Sequence, residues 1–423
     1  MAHRRHRAPR EFPRVELTLE GISHLGGTVA RLDDLVHFVS YGLPGEFVRA
    51  EIVDHKPTYQ RAGVLEVLGN ASPDRITAPC EYFGRCGGCA WQHAIYERQL
   101  EFKTGIVRDQ LRRVGGFEDP PLRPIIPATS PYGYRNHARF STRRDGTLGF
   151  TREHTHAVMT IDHCHTIMPA IGEMLAALQG HCPRMHQVAI RHSVWTGESL
   201  ISPRIPDAPI ATGQTHLHEM ILGRRFRIAA NSFFQVNTLP HRRALPDQIA
   251  ARWITQRDGE WSQTDILALV ALDRLAPSAG ETYLDAYCGV GTFALLIADR
   301  IGTSGHTIGI EEAVIAVNDA RHNAADTPGI EFLQGKVEKL LPDLDLSPDG
   351  AILDPARAGC DRPTIDALIN RRVRRIVYVS CDPATLARDL RIFVDAGYHL
   401  TDVQPIDMFP QTHHIETVAT LER

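Results

Sequence analysis

Cys381 stands where an apolar run, Ile376, Val377, Tyr378 and Val379, gives way to Asp382 and Pro383. A buried strand there would carry a thiol to its carboxyl end, the edge at which open α/β sheets bind ligands. Two other runs finish in the same way. Ala351-Ile352-Leu353 leads into Asp354-Pro355-Ala356-Arg357, and Tyr283-Leu284-Asp285-Ala286-Tyr287 leads into Cys288-Gly289-Val290-Gly291-Thr292. A nucleophile, a carboxylate and a glycine-rich loop on one rim are the parts of an enzyme.

The loop narrows the choice of ligand. Gly289 and Gly291 follow a strand and precede Thr292 to Leu296, so the missing side chains let backbone approach a ligand closely. The third glycine of a dinucleotide fingerprint is absent, and bulky Phe293 to Leu296 leave no room for a pyrophosphate. Glu311 ends the next strand about twenty residues on, where an acid can accept hydrogen bonds from ribose hydroxyls. A nucleoside without phosphates fits, and S-adenosylmethionine has such a ribose and a positive sulfonium. Asn231 to Asn237 is open to two readings: Gln235 hydrogen-bonds the cofactor or a base, or it belongs to an ordinary aromatic-anchored turn.

A thiol beside a methyl donor points to methylation of a carbon that is not nucleophilic by itself. Uracil C5 is one: addition of the Cys381 sulfur at C6 creates an enolate, and C5 then takes the methyl group. A base must afterwards remove the C5 proton, and Glu416, after Gln411-Thr412-His413-His414-Ile415, is the candidate. Asp354 would orient the pyrimidine or the methionine amino group. His413 and His414 read as structural, or as groups that tune Glu416.

A second thiol set precedes these. Cys80, Cys86 and Cys89 form Cys-x5-Cys-Gly-Gly-Cys, whose glycines let backbone wrap a metal centre. Three thiolates need a fourth ligand from a distance. Cys164, flanked by His163 and His165, is the first choice and Cys182 the alternative; zinc suits such a set as well as an iron–sulfur cluster does.

The elements that position these groups fall into three stretches. Residues 10–72 contain short strands (Val15 to Leu19, Thr28 to Arg31, His37 to Val39, Phe47 to Val53, Ala62 to Leu68) broken by turns, the pattern of a five-stranded OB-like barrel. Ala71 to Asp74 reads as a linker. Residues 73–225 form a mixed domain with a helix whose apolar face holds Tyr96, Leu100, Val107, Leu111 and Val114, with Lys103 elsewhere; the rest has no topology readable from pattern. Residues 226–423 alternate strand-like and helical segments, a doubly wound parallel sheet. Two closing strands, Tyr398 to Ile406 and Ile415 to Leu421, have no helix between them and should pair antiparallel at the edge. The fold class is therefore α/β: a Rossmann-like sheet in its methyltransferase version, an N-terminal barrel and a mixed central domain.

Bulk properties agree. The chain has 423 residues, 43% hydrophobic, with a formal charge of -4, which excludes a uniformly basic coat but not local basic patches. No apolar run reaches the roughly 18 residues of a membrane span, and the arginine-rich start lacks a signal-peptide core. Eight unevenly spaced cysteines indicate a reducing, cytoplasmic compartment.

The ordered set Phe233-Phe234-Gln235-Val236-Asn237, Leu284 to Phe293, Asp354 to Gly359, Tyr378 to Leu390 and Asp407 to Val418 resembles the RNA uracil-5-methyltransferase family over nearly the whole chain. The resemblance implies that Cys381 is the nucleophile and Glu416 the base, and that Gln235, Tyr287, Glu311 and Asp354 line the S-adenosylmethionine site, with Gly289 in its loop. It implies further that Cys80, Cys86, Cys89 and Cys164 hold a 4Fe-4S cluster and that the barrel is a TRAM domain, features of members acting on 23S ribosomal RNA. The expected partner is therefore 23S ribosomal RNA, with transfer RNA the alternative, and a monomer with no membrane partner is expected. A non-catalytic RNA-binding or chaperone protein is the rival of another class. RNA contacts are expected from Lys56, Tyr59 and Arg61, from the stretch Tyr132 to Phe140 that interleaves bases with aromatics, and less from the tail arginines Arg4, Arg5, Arg7 and Arg10.

Overall fold

The computed structural model describes residues 13–423 apart from 154, 156, 246–248 and 250–258. The tail arginines lie outside the described residues. A seven-stranded sheet runs in the order Ile330–Gln334, His306–Glu311, Thr282–Ala286, Gly350–Leu353, Arg375–Ser380, Glu416–Glu422, His399–Ile406. The first five strands are parallel, and Glu416–Glu422 enters antiparallel to both neighbours. The expected closing pair is thus present, with the last strand inserted between two earlier ones.

These strands are apolar because both faces are covered. Helices Gln263–Leu275, Thr292–Ile301 and Val314–Asn323 share one core, and helices Tyr96–Arg113, Arg362–Asn370 and Pro383–Asp395 share the other. Tyr96–Arg113 therefore packs on the catalytic sheet although the sequence groups it with the central stretch. Its buried face also differs from expectation: Gln99, Phe102, Lys103, Ile106, Val107 and Leu111 are buried, while Val114 is exposed. Chain segment 121–126 runs beside the edge strand, with Arg123 N–H donating to the Val403 carbonyl and Ile126 N–H to that of Pro405.

At the N-terminal end, six strands between Arg14 and Gly69 form one sheet around Leu17, Leu19, Ala30, Val39, Val48, Ala50 and Ala62. This is one strand more than expected, the short Gly21–Ile22. The presumed linker is tied down: buried Glu46 accepts from Ser72 N–H and binds the Arg75 guanidinium through both oxygens at 2.5 Å. Between the two lies a five-stranded antiparallel sheet, Ser199–Ser202, Gln187–His192, His137–Thr142, Leu148–Thr151 and Val158–Thr160. The hairpin His216–Ile221 and Arg224–Ala229 spans the expected division at residue 225. Its Ala229 N–H donates to Asp319, on the helix Val314–Asn323 of the catalytic sheet.

Candidate active site and cysteine cavity

Parallel strands end together, so their carboxyl termini share one rim. Thr282–Ala286 and Gly350–Leu353 are adjacent, and chain connections leave them in opposite directions, which opens a crevice between them. On one side lies the glycine loop. Gly289 has φ 55°, and a Cβ there would meet nothing within 4 Å, so the backbone borders open space. Gly291 has φ 84°, and a Cβ there would come within 2.9 Å of the Phe332 ring. The first glycine leaves a cradle; the second is required by packing and backbone conformation.

Glu311 closes that cradle. One carboxylate oxygen accepts from Gly289 N–H at 3.1 Å and the other from Ala313 N–H at 2.7 Å. Each oxygen has a second lone pair for a ligand hydroxyl. Beneath, Asp285 is wholly buried, and one of its oxygens accepts from Ala294 N–H at 2.7 Å while the other has no partner. Burial pushes this carboxyl well above its usual range, and Asp354 and Glu311 add to the shift. The sequence reading gave Asp285 no role; its position inside the motif was the available signal.

Tyr287 adopts φ 69°, and its hydroxyl lies 3.5 Å from that of Thr364, so that group is turned toward the protein. Gln235, 8% exposed, donates its amide to Asp354 at 3.5 Å. Its segment is fixed by Ser232 on Asp319, by Asn237 on the Met408 carbonyl and by buried Phe234. Phe233, by contrast, is 71% exposed.

Register brings the remaining groups together. Ser380 pairs with Thr417 across the antiparallel strands, so the next residues along, Cys381 and Glu416, fall side by side at the rim. Burial raises the Cys381 thiol to about 11; Glu416, Asp354 and Asp382 push the same way, and Arg357 opposes them. Glu416 is 3% exposed, and burial, then Asp354, hold its carboxyl well above the usual range, with Arg357 again opposing. Burial lifts Asp354 to about 7. One thiol, two carboxyls and one guanidinium are therefore neighbours at the rim, and the upward shifts of the two carboxyls mean that a cationic ligand would favour their ionised forms. Arg357 carried no role in the sequence reading. It is held against His414 at 3.2 Å. Burial lowers His413 to about 4 and His414 to about 3, so both are neutral near pH 7 and support the loop rather than supply charge.

Cys80, Cys86, Cys89 and Cys164 line one cavity with Gln92 and Arg135, about 380 Å³ including its open mouth. Burial raises Cys80, Cys86 and Cys89, the last to about 12; neighbouring thiols add to this, and Arg135 opposes it at Cys86 and Cys89. Among the described residues no group of three or more His, Cys, Asp or Glu side chains is arranged to hold a metal ion. Cys182 packs in the central core away from this cavity.

The expected RNA contacts divide. Arg61 lies over the Tyr59 ring at 5.9 Å and Lys56 is exposed beside Asp54. In the stretch Tyr132 to Phe140, Tyr134 and Phe140 are core residues and cannot stack on a base; the alternation is that of a half-buried strand. Arg139 is exposed, and Tyr132, His163 and His165 border an open cleft beside Cys164.

Three family models match the chain: one described as tRNA (Uracil-5-)-methyltransferase over residues 341–423, a methyltransferase domain over 277–356 and a TRAM domain over 10–65. An uncharacterized RNA methyltransferase of Halalkalibacterium halodurans is 33% identical, with 96% of each chain covered. One from Gloeobacter violaceus is 35% identical over 97% of this chain and 96% of its own. The crystal structure of Pyrococcus abyssi tRNA (uracil-54, C5)-methyltransferase in complex with S-adenosyl-L-homocysteine has a similar fold, with a TM-score of 0.70 at 22% identity, covering 96% of this chain and 100% of that one. Among the described residues no helix is long and apolar enough to cross a membrane.

Proposed function

Because the chain belongs to the RNA uracil-5-methyltransferase family, we propose that its sheet methylates uridine C5 through a covalent thioether, with Cys381 as nucleophile and Glu416 as base. The observation that carries this reading is the register that sets Cys381 beside Glu416, next to Asp354 and the Gly289 cradle. S-adenosylmethionine supplies an electrophilic methyl group. Gln235, Tyr287, Gly289, Glu311 and Asp354 form its site in this reading, with Glu311 on the ribose and Asp354 on the ammonium.

The resting thiol is protonated, so as the pyrimidine arrives its proton passes to solvent at the cleft and Arg357 stabilises the thiolate; Glu416, whose carboxyl burial holds well above the usual range, acts as base from its ionised form. Sulfur adds to C6, the C5–C6 π electrons move into the ring enolate, and C5 takes the methyl group as its bond to the sulfonium breaks and the donor leaves as a neutral thioether. Glu416 then accepts the C5 proton, and the C6–S bond breaks to return the thiolate. RNA containing 5-fluorouridine has no C5 proton to give up, so wild-type protein should be trapped on it while Cys381→Ala remains free. Absence of a wild-type adduct sinks the mechanism.

The cysteine cavity supports a 4Fe-4S cluster on Cys80, Cys86, Cys89 and Cys164. Four thiols line one cavity, a ligand count that suits zinc as well as a cluster, and the resemblance to members acting on 23S ribosomal RNA is what favours the cluster. Such a cluster would hold residues 80–89 against Cys164. Anaerobic purification should give a brown protein with iron and sulfide; a colourless zinc protein overturns this part alone. The cavity and the barrel together favour 23S ribosomal RNA, in a protein divided by sequence into 10–72, 73–225 and 226–423, although helix Tyr96–Arg113 packs on the catalytic sheet and the hairpin His216–Ile221 and Arg224–Ala229 straddles residue 225. The matched Pyrococcus fold favours transfer RNA as the second reading. Mapping 5-methyluridine in both RNAs from a deletion strain decides between them.

A further inference from the structure

The loop that ends in Glu416 is anchored by a buried ion pair that the proposed chemistry does not use. Ile406 pairs with Glu416 across the strands, so Asp407 is the first residue of the connection whose far end is the base. Lys103 and Asp407 are both 0% exposed, and the ammonium lies 2.6 Å from one carboxylate oxygen. The same ammonium donates to the Phe409 carbonyl at 2.9 Å, and Phe409 N–H donates back to Asp407 at 3.2 Å. Tyr96 donates its hydroxyl to the other oxygen at 2.7 Å and accepts from Ala128 N–H at 2.9 Å. One turn from Tyr96, Gln99 exchanges hydrogen bonds with Gln411, its amide donating to the side chain and its carbonyl oxygen accepting from Gln411 N–H.

Burying a charge pair costs about as much in desolvation as it returns, so an apolar pair of similar volume would serve stability as well. What the pair does supply is direction. It fixes where the chain leaves its strand at Asp407, and with Gln411 held by Gln99 the return to Glu416 has little freedom.

We propose that Lys103, through Asp407, is a positioning residue for proton removal by Glu416. This rests on the reading of Glu416 as base. Cys381, Asp354 and Glu311 stand on other strand ends, and the loop reaches the Gln235 segment through the Met408 carbonyl that holds Asn237, so disturbing the pair should slow the final proton transfer more than the earlier steps. A displacement of about 1 Å at a reacting group costs up to roughly a hundredfold.

The test uses full-length protein with two RNA substrates. Lys103→Met keeps the stem and removes the charge. It should trap on 5-fluorouridine RNA at nearly the wild-type rate, yet turn over ordinary uridine RNA about ten- to a hundredfold more slowly while a covalent adduct accumulates. Tyr96→Phe, a milder change that keeps the ammonium–carboxylate contact, should show a smaller accumulation and a smaller drop in melting midpoint than Lys103→Met. The inference is overturned if trapping and turnover fall together, or if Tyr96→Phe leaves adduct levels at those of wild type. Glu416→Gln separates the two readings. If it does not accumulate adduct, the base assignment itself fails; if it does and both other variants do not, only the positioning role fails.

Discussion

Cys381 and the thiols of Cys80, Cys86 and Cys89 meet the same first obstacle, since burial heads the causes that keep each of them protonated. Their neighbours then differ. Cys381 stands alone among carboxylates with one guanidinium near it, whereas the others face further thiols, with Arg135 opposing at two of them. A lone thiol so placed stays protonated at rest, and in the proposed chemistry it ionises only as an electrophilic ring takes its charge. Thiols that raise one another would be relieved by a shared cation, as in the proposed cluster. Both sites are made from half-buried cysteine; the lone thiol is the one proposed to form a transient bond, and the grouped thiols are those proposed to form a lasting one.

The largest effect that would test this contrast is Cys381→Ala, expected to abolish both methyl transfer and trapping on 5-fluorouridine RNA in a gel-shift assay under denaturing conditions. Cys89→Ala should lose bound iron by elemental analysis yet still trap, because its thiol is not in the cleft; failure to trap in a folded variant would erase the distinction. Next, Glu416→Gln should lower turnover about 10²- to 10⁴-fold, the usual contribution of a general base, with adduct accumulating on ordinary RNA. Rapid turnover by that variant would remove Glu416 from the chemistry. A smaller effect concerns ionisation. Alkylation of Cys381 in the free protein should rise about tenfold per pH unit toward its high midpoint, and Arg357→Gln should move that midpoint upward; a plateau near pH 8 contradicts the protonated resting state. The smallest is at Asp354. Its carboxyl, raised to about 7, holds the proton below that pH in the free protein, and a cationic ligand prefers the carboxylate. S-adenosylmethionine affinity should therefore climb as pH rises through 7 and weaken below it, with proton release seen by calorimetry in buffers of different ionisation enthalpy. Asp354→Asn should flatten that dependence.

Legibility in the sequence followed the range of the interactions. Ile376 to Val379 could be read as a strand because parallel strands covered on both faces are continuous apolar runs. Gly289, Glu311, Asp354 and Cys381 could be placed on one rim because each follows such a run. The central sheet could not be read: its strands are as short as Val158–Thr160, and their partners are set by distant pairing. Lys103 was read as a residue off the apolar face because its partner, Asp407, lies 304 residues away. Tyr134 and Phe140 passed for a stacking surface because alternation of basic and aromatic residues describes a half-buried strand equally well. Arg357 lacked a signal of its own, since its meaning comes from the cleft into which two other strands bring their acids.

The insertion of Glu416–Glu422 between strands made earlier has a consequence for biogenesis. Until those residues leave the ribosome, Arg375–Ser380 and His399–Ile406 each present an unpaired edge, the kind of surface on which nascent chains associate. The same segment brings the acid next to the thiol, so the proposed reactive centre comes into being only when the sheet is sealed, and a chain that stops before Glu416 lacks the proposed proton acceptor.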